Sequence, residues 1–213
     1  MTLEDMITAV QTELGIQVDG RAGPQTWEAV YRAIVLHQRH ARIAAAAATP
    51  SGVADGVGIA PVDPRSEQAI ASLLPEVRPL ARALVHKAAA QGIQIRVLSG
   101  FRTYEEQAAL YAQGRTAPGP QVTKARPGYS NHNFGIAFDV GVFEGARYLG
   151  ASPKYKAVGA LGMDLGLEWG GSWTSLVDEP HFQLRPAWAA GLPERQLLAE
   201  LRARRDAETP VFA

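Results

Sequence analysis

The stretch that most limits how this chain can fold is residues 41–63, "ARIAAAAATPSGVADGVGIAPVD". Ala, Gly, Pro and Ser offer little side-chain surface to bury, so a segment built from them reads as a linker. The alanine tract can extend a preceding helix only as far as Pro50. The 213-residue chain is thereby divided into a short module, 1–40, and a larger region, 64–213, long enough to bury a core of its own.

In the short module, Leu3, Met6, Ile7, Val10 and Leu14 recur at helical spacing. Thr2 with Asp5 forms a capping-box-like start, and Gly15 suits the helix end. After the turn "VDGRAGP", a second helix is predicted over 24–38, with Pro24 in its first turn and Trp27, Val30, Tyr31 and Ile34 on one face. The expectation is a helical hairpin with a modest core. The stretch "QTELGIQVDGRAGPQTWEAV" resembles the core of the peptidoglycan-binding helical repeat, in shortened form.

From residue 64 the pattern becomes α+β. A helix is predicted over about 76–91, stopped by Gly92, and "IQIRVL" (93–98) alternates with period two as a strand does. Residues 103–113 read as a helix. Residues 114–131 carry three Gly and three Pro and read as a long loop of the kind that lines functional sites. "GIAFDV" returns to strand, Ser152-Pro153 opens a helix running to about Leu165, and "GLEWG" and "PHFQLR" are short strands around a loop. An amphipathic helix over 193–206 closes the chain, with Leu197, Leu198 and Leu201 on its apolar side.

The 21 basic and 21 acidic residues balance, so no basic excess points to nucleic acid. The balance also gives little long-range attraction to anionic wall polymers. The N-terminus "MTLEDMITAV" lacks a basic region followed by an apolar one, so no secretory signal is read, and no run approaches the length of a membrane span. There is no cysteine, which excludes thiolate metal sites and a cysteine nucleophile. Any zinc site must use His, Asp and Glu.

Of the five histidines, His37 and His40 lie in the N-terminal helix in a solvent-facing context, and His86 lies mid-helix. His132 and His181 remain. In "YSNHNFGIAFDV", strand alternation would place Gly135 and Ala137 on the same face as Asp139, small enough to leave room for a metal, with Ile136 and Phe138 turned to the core. A catalytic zinc needs three protein ligands and an open fourth position. His181 can be the third ligand, and Asp178, three residues before it, is placed to act as a base. Glu179 is its rival, since neighbours in an extended segment point opposite ways. On spacing alone, a structural strand with two polar residues remains an open reading.

"SNHNFGIAFDV" resembles the SxHxxGxAxD signature of zinc D-Ala-D-Ala carboxypeptidases and L-alanyl-D-glutamate endopeptidases, matching at Ser130, His132, Gly135, Ala137 and Asp139. "SGFRTYEEQAALYAQGR" and "GLEWGGSWTSLVDEPHFQL" resemble two further segments of that family, in the family's order. The resemblance implies a hedgehog/D,D-peptidase-like domain, a small antiparallel sheet flanked by helices. It implies zinc on His132, Asp139 and His181, a general base at Asp178, and Arg102 facing the developing oxyanion. Gln107 and Ser130 map near the substrate cleft, and Trp169 and Trp173 frame the pocket.

The implied reaction is metal-assisted hydrolysis of a peptidoglycan stem peptide. An L-alanyl-D-glutamate endopeptidase acting as an endolysin is the first expectation, with a D,D-carboxypeptidase or D,D-endopeptidase second. A zinc-binding domain without enzymatic activity, as in hedgehog signalling, is a third. A monomer is expected, made in the cytoplasm and reaching the wall through a holin, without stable membrane insertion.

Overall fold

The structure, a computed structural model, describes residues 2–31 and 59–213. It divides into two compact units, Met1–Gly52 and Val53–Ala213. The expected linker lies outside the described residues apart from 59–63, as do His37, His40 and the part of the expected second helix beyond Tyr31.

In the first unit, α1 (Leu3–Glu13) starts at Thr2, whose side chain and that of Asp5 cap each other's backbone N–H. α2 spans Pro24–Tyr31. Between them, among the described residues, Ile7, Leu14 and Val30 are half-buried around a polar node. Leu3, Met6, Val10 and Trp27 are exposed, whereas Gln11 is buried. The Gln11 amide donates to Asp19 Oδ1, the Arg21 carbonyl and Thr26 Oγ1, and its Oε1 accepts from the backbone of Asp19 and Gly20. One side chain thus satisfies the polar groups of the "VDGRAGP" turn, which a helical-period reading has no means to assign.

In the second unit, α3 (Pro64–Ala71) begins at the N-cap Asp63, and α4 spans Arg78–Ala90. α3 escapes a periodicity reading because Ile70 is its one large buried apolar residue. Then follow β1 (Gln94–Ser99), α5 (Tyr104–Ala112), β2 (Ala137–Glu144), β3 (Arg147–Leu149), α6 (Lys154–Asp164), β4 (Glu168–Trp169), β5 (His181–Gln183) and α7 (Glu194–Asp206). The sheet is antiparallel in the order β1-β2-β5-β4, with β3 also pairing with β2. The expected α+β fold, a small antiparallel sheet flanked by helices, is what forms.

Alternation along β2 decides which face is dry. Phe138, Val140 and Val142 join Ile95, Val97 and Phe182 in the main core, covered by Leu84 of α4 and by Tyr155 and Val158 of α6. Phe138 and Phe182 stack at 5.8 Å between ring centroids. Each such side chain contributes about 1.5–3 kcal/mol on burial. Asp139 points to the other face. A second cluster places Phe134 and Ile136 against Leu197, Leu198 and Leu201 of α7. Ile136 therefore packs in a different core from Phe138.

Gly135 does not lie in the strand, as alternation had suggested. It closes a 3-10 turn over Asn131–Phe134 in the left-handed region, at φ 69°. A Cβ there would stand 3.2 Å from Leu74 Cγ, not in the space beside Asp139. The glycine is required by the turn and by the close approach of Leu74.

Candidate metal centre

β2 and β5 pair so that Asp139 stands directly opposite His181, Phe138 opposite Phe182, and Ala137 opposite Gln183. Stacking Phe138 on Phe182 in the core thus forces Asp139 and His181 together on the other face. His132 arrives from the 3-10 turn, which is fixed by the backbone bond from Arg102 N to the His132 carbonyl. His132, Asp139 and His181 each offer a ligand atom, and these atoms lie within 4.8 Å of one another.

The hydrogen bonds around them identify which atoms remain free. His132 Nδ1 is 2.8 Å from the Gly100 carbonyl, an acceptor only, so Nδ1 carries the proton and Nε2 keeps its lone pair. His181 Nε2 is 3.0 Å from Gln183 Oε1, and its Nδ1 faces Asp139 Oδ1 at 3.3 Å, on the side of the other two residues. Ser99 Oγ donates to Asp139 Oδ2 at 2.7 Å, leaving Oδ1. From Asp139 Oδ1 it is 3.4 Å to His132 Nε2 and 3.3 Å to His181 Nδ1. An ion held tetrahedrally at about 2.0–2.1 Å sets its donors about 3.3–3.4 Å apart. Two imidazoles and a carboxylate, each held from behind, therefore fit a divalent metal.

Electrostatics agree with this arrangement. Burial pushes the Asp139 carboxyl up, but His132 and His181 outweigh it and hold the group well below the ordinary carboxylate range. Burial pushes the His181 imidazole down, but Asp139 outweighs it and the net shift is upward. Asp178, half-buried, is raised, first by burial and then by the nearby charge of Asp139, with His181 pulling the other way. A turn closed by His181 N and the Asp178 carbonyl holds the pair, and Asp178 N is bound by the Gly170 carbonyl. A Cβ on Gly170 would come within 2.5 Å of the Asp178 carbonyl oxygen. Glu179 contributes its carbonyl as the acceptor for Trp169 Nε1, at 2.8 Å.

The remaining predicted residues separate by position. Arg102 is half-buried, and its Nη1 donates to Gln107 Oε1 at 2.9 Å. An amide rather than a carboxylate holds it, so its charge is not neutralised by that partner. Gln107 is fully buried and also donates to the Ala125 carbonyl, so it supports Arg102 from below rather than lining the cleft. Trp169 is likewise a core residue, paired with Phe182 on the dry face. Trp173 does stand at the centre, its ring 5.1 Å from that of His181. Ser130 is half-buried immediately before the turn that carries His132. His86 is exposed and binds the Ala60 carbonyl.

Comparison with known proteins gives the family. The family model described as D-alanyl-D-alanine carboxypeptidase, VanY, matches residues 71–161. The peptidoglycan L-alanyl-D-glutamate endopeptidase CwlK of Bacillus subtilis is 38% identical over 124 residues, spanning 54% of this chain and 74% of that protein. The chain belongs to this family of peptidases. Another family member, the L-alanyl-D-glutamate peptidase of Listeria phage A118, is 33% identical over 122 residues, 56% of this chain and 40% of the phage protein. The Serratia marcescens L-Ala D-Glu endopeptidase ChiX superimposes with a TM-score of 0.46 at 23% identity, over 61% of this chain and 93% of that one.

Sequence reading of this peptidase passes over Ser99, Gly100, Asn131 and Gln183, which hold the three candidate ligands or their neighbours. Only Gln183 carries a local signal, since it lies two residues from His181 on the same face of β5.

Proposed function

We propose that this chain is a zinc-dependent peptidoglycan peptidase that cleaves the L-alanyl-D-glutamate bond of stem peptides and acts as an endolysin. The observation that carries this reading is the convergence of His132, Asp139 and His181, whose ligand atoms lie within 4.8 Å of one another, with Asp139 Oδ1 3.4 Å from His132 Nε2 and 3.3 Å from His181 Nδ1. Two imidazoles and one carboxylate suit zinc and leave a position open for substrate. Bound there, zinc would supply a Lewis acid for the scissile carbonyl and lower the pKa of a coordinated water.

The residues supply the rest. Asp178, whose charge is coupled to all three candidate ligands, accepts the proton of the attacking water and returns it to the leaving amine. Arg102 turns its guanidinium to the developing oxyanion. Its backbone is strapped to the ligand turn by the bonds from Arg102 N to the His132 carbonyl and from Asn133 Nδ2 to the Arg102 carbonyl. Trp173 and Ser130 flank the substrate. Asp178 and Arg102 argue for an enzyme over a zinc-binding domain without activity.

The L-alanyl-D-glutamate bond follows from the named specificity of the two relatives. A D,D-carboxypeptidase is the second reading, favoured by the family model over residues 71–161. Mass spectrometry of digested peptidoglycan separates them. New N-terminal D-Glu ends support the first, and release of free D-Ala supports the second. No described helix is long and apolar enough to cross a membrane. A monomer that reaches the wall through a holin completes the reading. Its domains are a wall-binding-like module at 1–40, a linker at 41–63 and the peptidase at 64–213. Deleting 1–60 and measuring sedimentation with cell walls tests the role of the module.

A further inference from the structure

His181 presents Nδ1 to the metal position only if its other nitrogen carries the proton. Asp139 Oδ1, 3.3 Å from Nδ1, competes for that proton, and a network behind the ring opposes it. Gln183, fully buried, accepts with Oε1 both from His181 Nε2 and from Asn131 Nδ2, at 3.0 and 2.6 Å. The other end of the Gln183 amide, Nε2, donates to Glu168 Oε2 at 2.8 Å. A carboxylate accepts only, so Glu168 fixes which end of the Gln183 amide faces His181. Glu194 does the same for Asn131, whose Nδ2 donates to Glu194 Oε1. Arg185 ties the two carboxylates together, with Nε on Glu168 and Nη2 on Glu194.

Asn131 shows that charge dictates the orientation. Its Oδ1 is buried with no hydrogen-bond partner among the described residues. Flipping the amide would not relieve this. It would turn Oδ1 toward the Glu194 carboxylate and leave a buried N–H unpaired instead. The network accepts one unmade bond to keep the charge-assisted bond to Glu194 and the bond to Gln183.

We propose that Glu168 and Glu194 are positioning residues that act through Gln183 and Asn131 to hold His181 with its proton on Nε2 and its lone pair on Nδ1. The clamp spans β4, β5, the 3-10 turn and the start of α7, so the C-terminal helix takes part in preparing the metal centre. The inference takes the metal centre from the proposed function but does not depend on which bond is cut.

The test uses the full chain. In the metal-free wild type at alkaline pH, where imidazole is neutral, nitrogen NMR should show His181 protonated at Nε2. A dominant Nδ1-protonated form would overturn the proposal without any variant. Glu168→Gln keeps the shape but lets the partner amide donate as well as accept, and Glu168→Gln with Glu194→Gln frees both ends of the network. The double variant should show a mixed His181 tautomer and a zinc Kd raised about 10- to 100-fold in competition titrations. A tautomer and a zinc Kd that stay at wild-type values in the double variant would also overturn it. A purely structural role would lower Tm while leaving the tautomer unchanged. Absence of peptidase activity from a wild type that binds zinc and carries the His181 proton on Nε2 would count against the proposed function instead.

Discussion

Asp139 and His181 face each other across β2 and β5, with Oδ1 and Nδ1 3.3 Å apart. Forty-two positions separate them in sequence. The pairing places a carboxylate and an imidazole at ligand distance, on strands whose opposite faces are locked by Phe138 and Phe182.

Purified protein should hold about one zinc per chain. His181→Ala should lose both zinc and activity, because two remaining donors cannot hold the ion in competition with water. Elemental analysis checks this, and a variant with undiminished zinc would contradict the ligand assignment.

Asp178→Asn should keep its zinc and lose activity by about 10²–10⁴-fold, the usual contribution of a positioned acid–base group. Turnover and metal content measured on one preparation separate this from loss of the ligands. Normal turnover would remove Asp178 from the mechanism.

Gly170→Ala should disturb the Asp178–His181 turn, since its Cβ would stand 2.5 Å from the Asp178 carbonyl oxygen and 3.1 Å from His181 Cβ. A shift of about 1 Å in a catalytic group can cost about 100-fold in rate. Activity should therefore fall far more than Tm. Equal retention of both would show that the turn yields without consequence.

Arg102→Ala should lower kcat by about 10²–10³-fold, as removal of an oxyanion donor does. Gln107→Leu leaves the arginine in place but removes its support, so it should lose part of that activity and some stability. Steady-state kinetics with thermal melts distinguishes the two, and full activity in Gln107→Leu would free Arg102 from that support.

Acid should weaken the fold partly through Glu67. Its hydrogen bonds from Arg82, the nearer at 2.7 Å, hold its carboxyl below the ordinary value of 4.5, against the opposing effect of burial. A depressed carboxyl contributes stability that is present above the unfolded value and is lost as pH falls through the folded one. The partner charges are partly solvated, so the effect is at most about 1 kcal/mol. Melting curves of Glu67→Gln should therefore fall less steeply below pH 4.5 than those of the wild type. Identical slopes would remove this pair from the acid response.

Much was legible in the chain. Periodicity marks α4, β1 and α7, because each repeats its apolar positions within a few residues, and Ser152-Pro153 marks the start of α6. The residue types of the candidate site were also legible: with no cysteine, a metal centre had to come from His and carboxylate, and His132, Asp139, Asp178 and His181 stand in short, distinctive stretches. What the sequence could not decide was anything fixed by residues far apart in the chain. The family resemblance implies a pocket wall at Trp169, but the pairing of β4 with β5 turns it into the core beside Phe182. Strand alternation makes Gly135 space for a metal, but its left-handed turn against Leu74 gives it another task. Gln107, Gln183 and Asn131 gain their roles only when distant strands and helices close over them. Local propensity is written in neighbouring residues. Register and hydrogen-bond direction are set by which distant faces are buried together, and only the tertiary structure decides that.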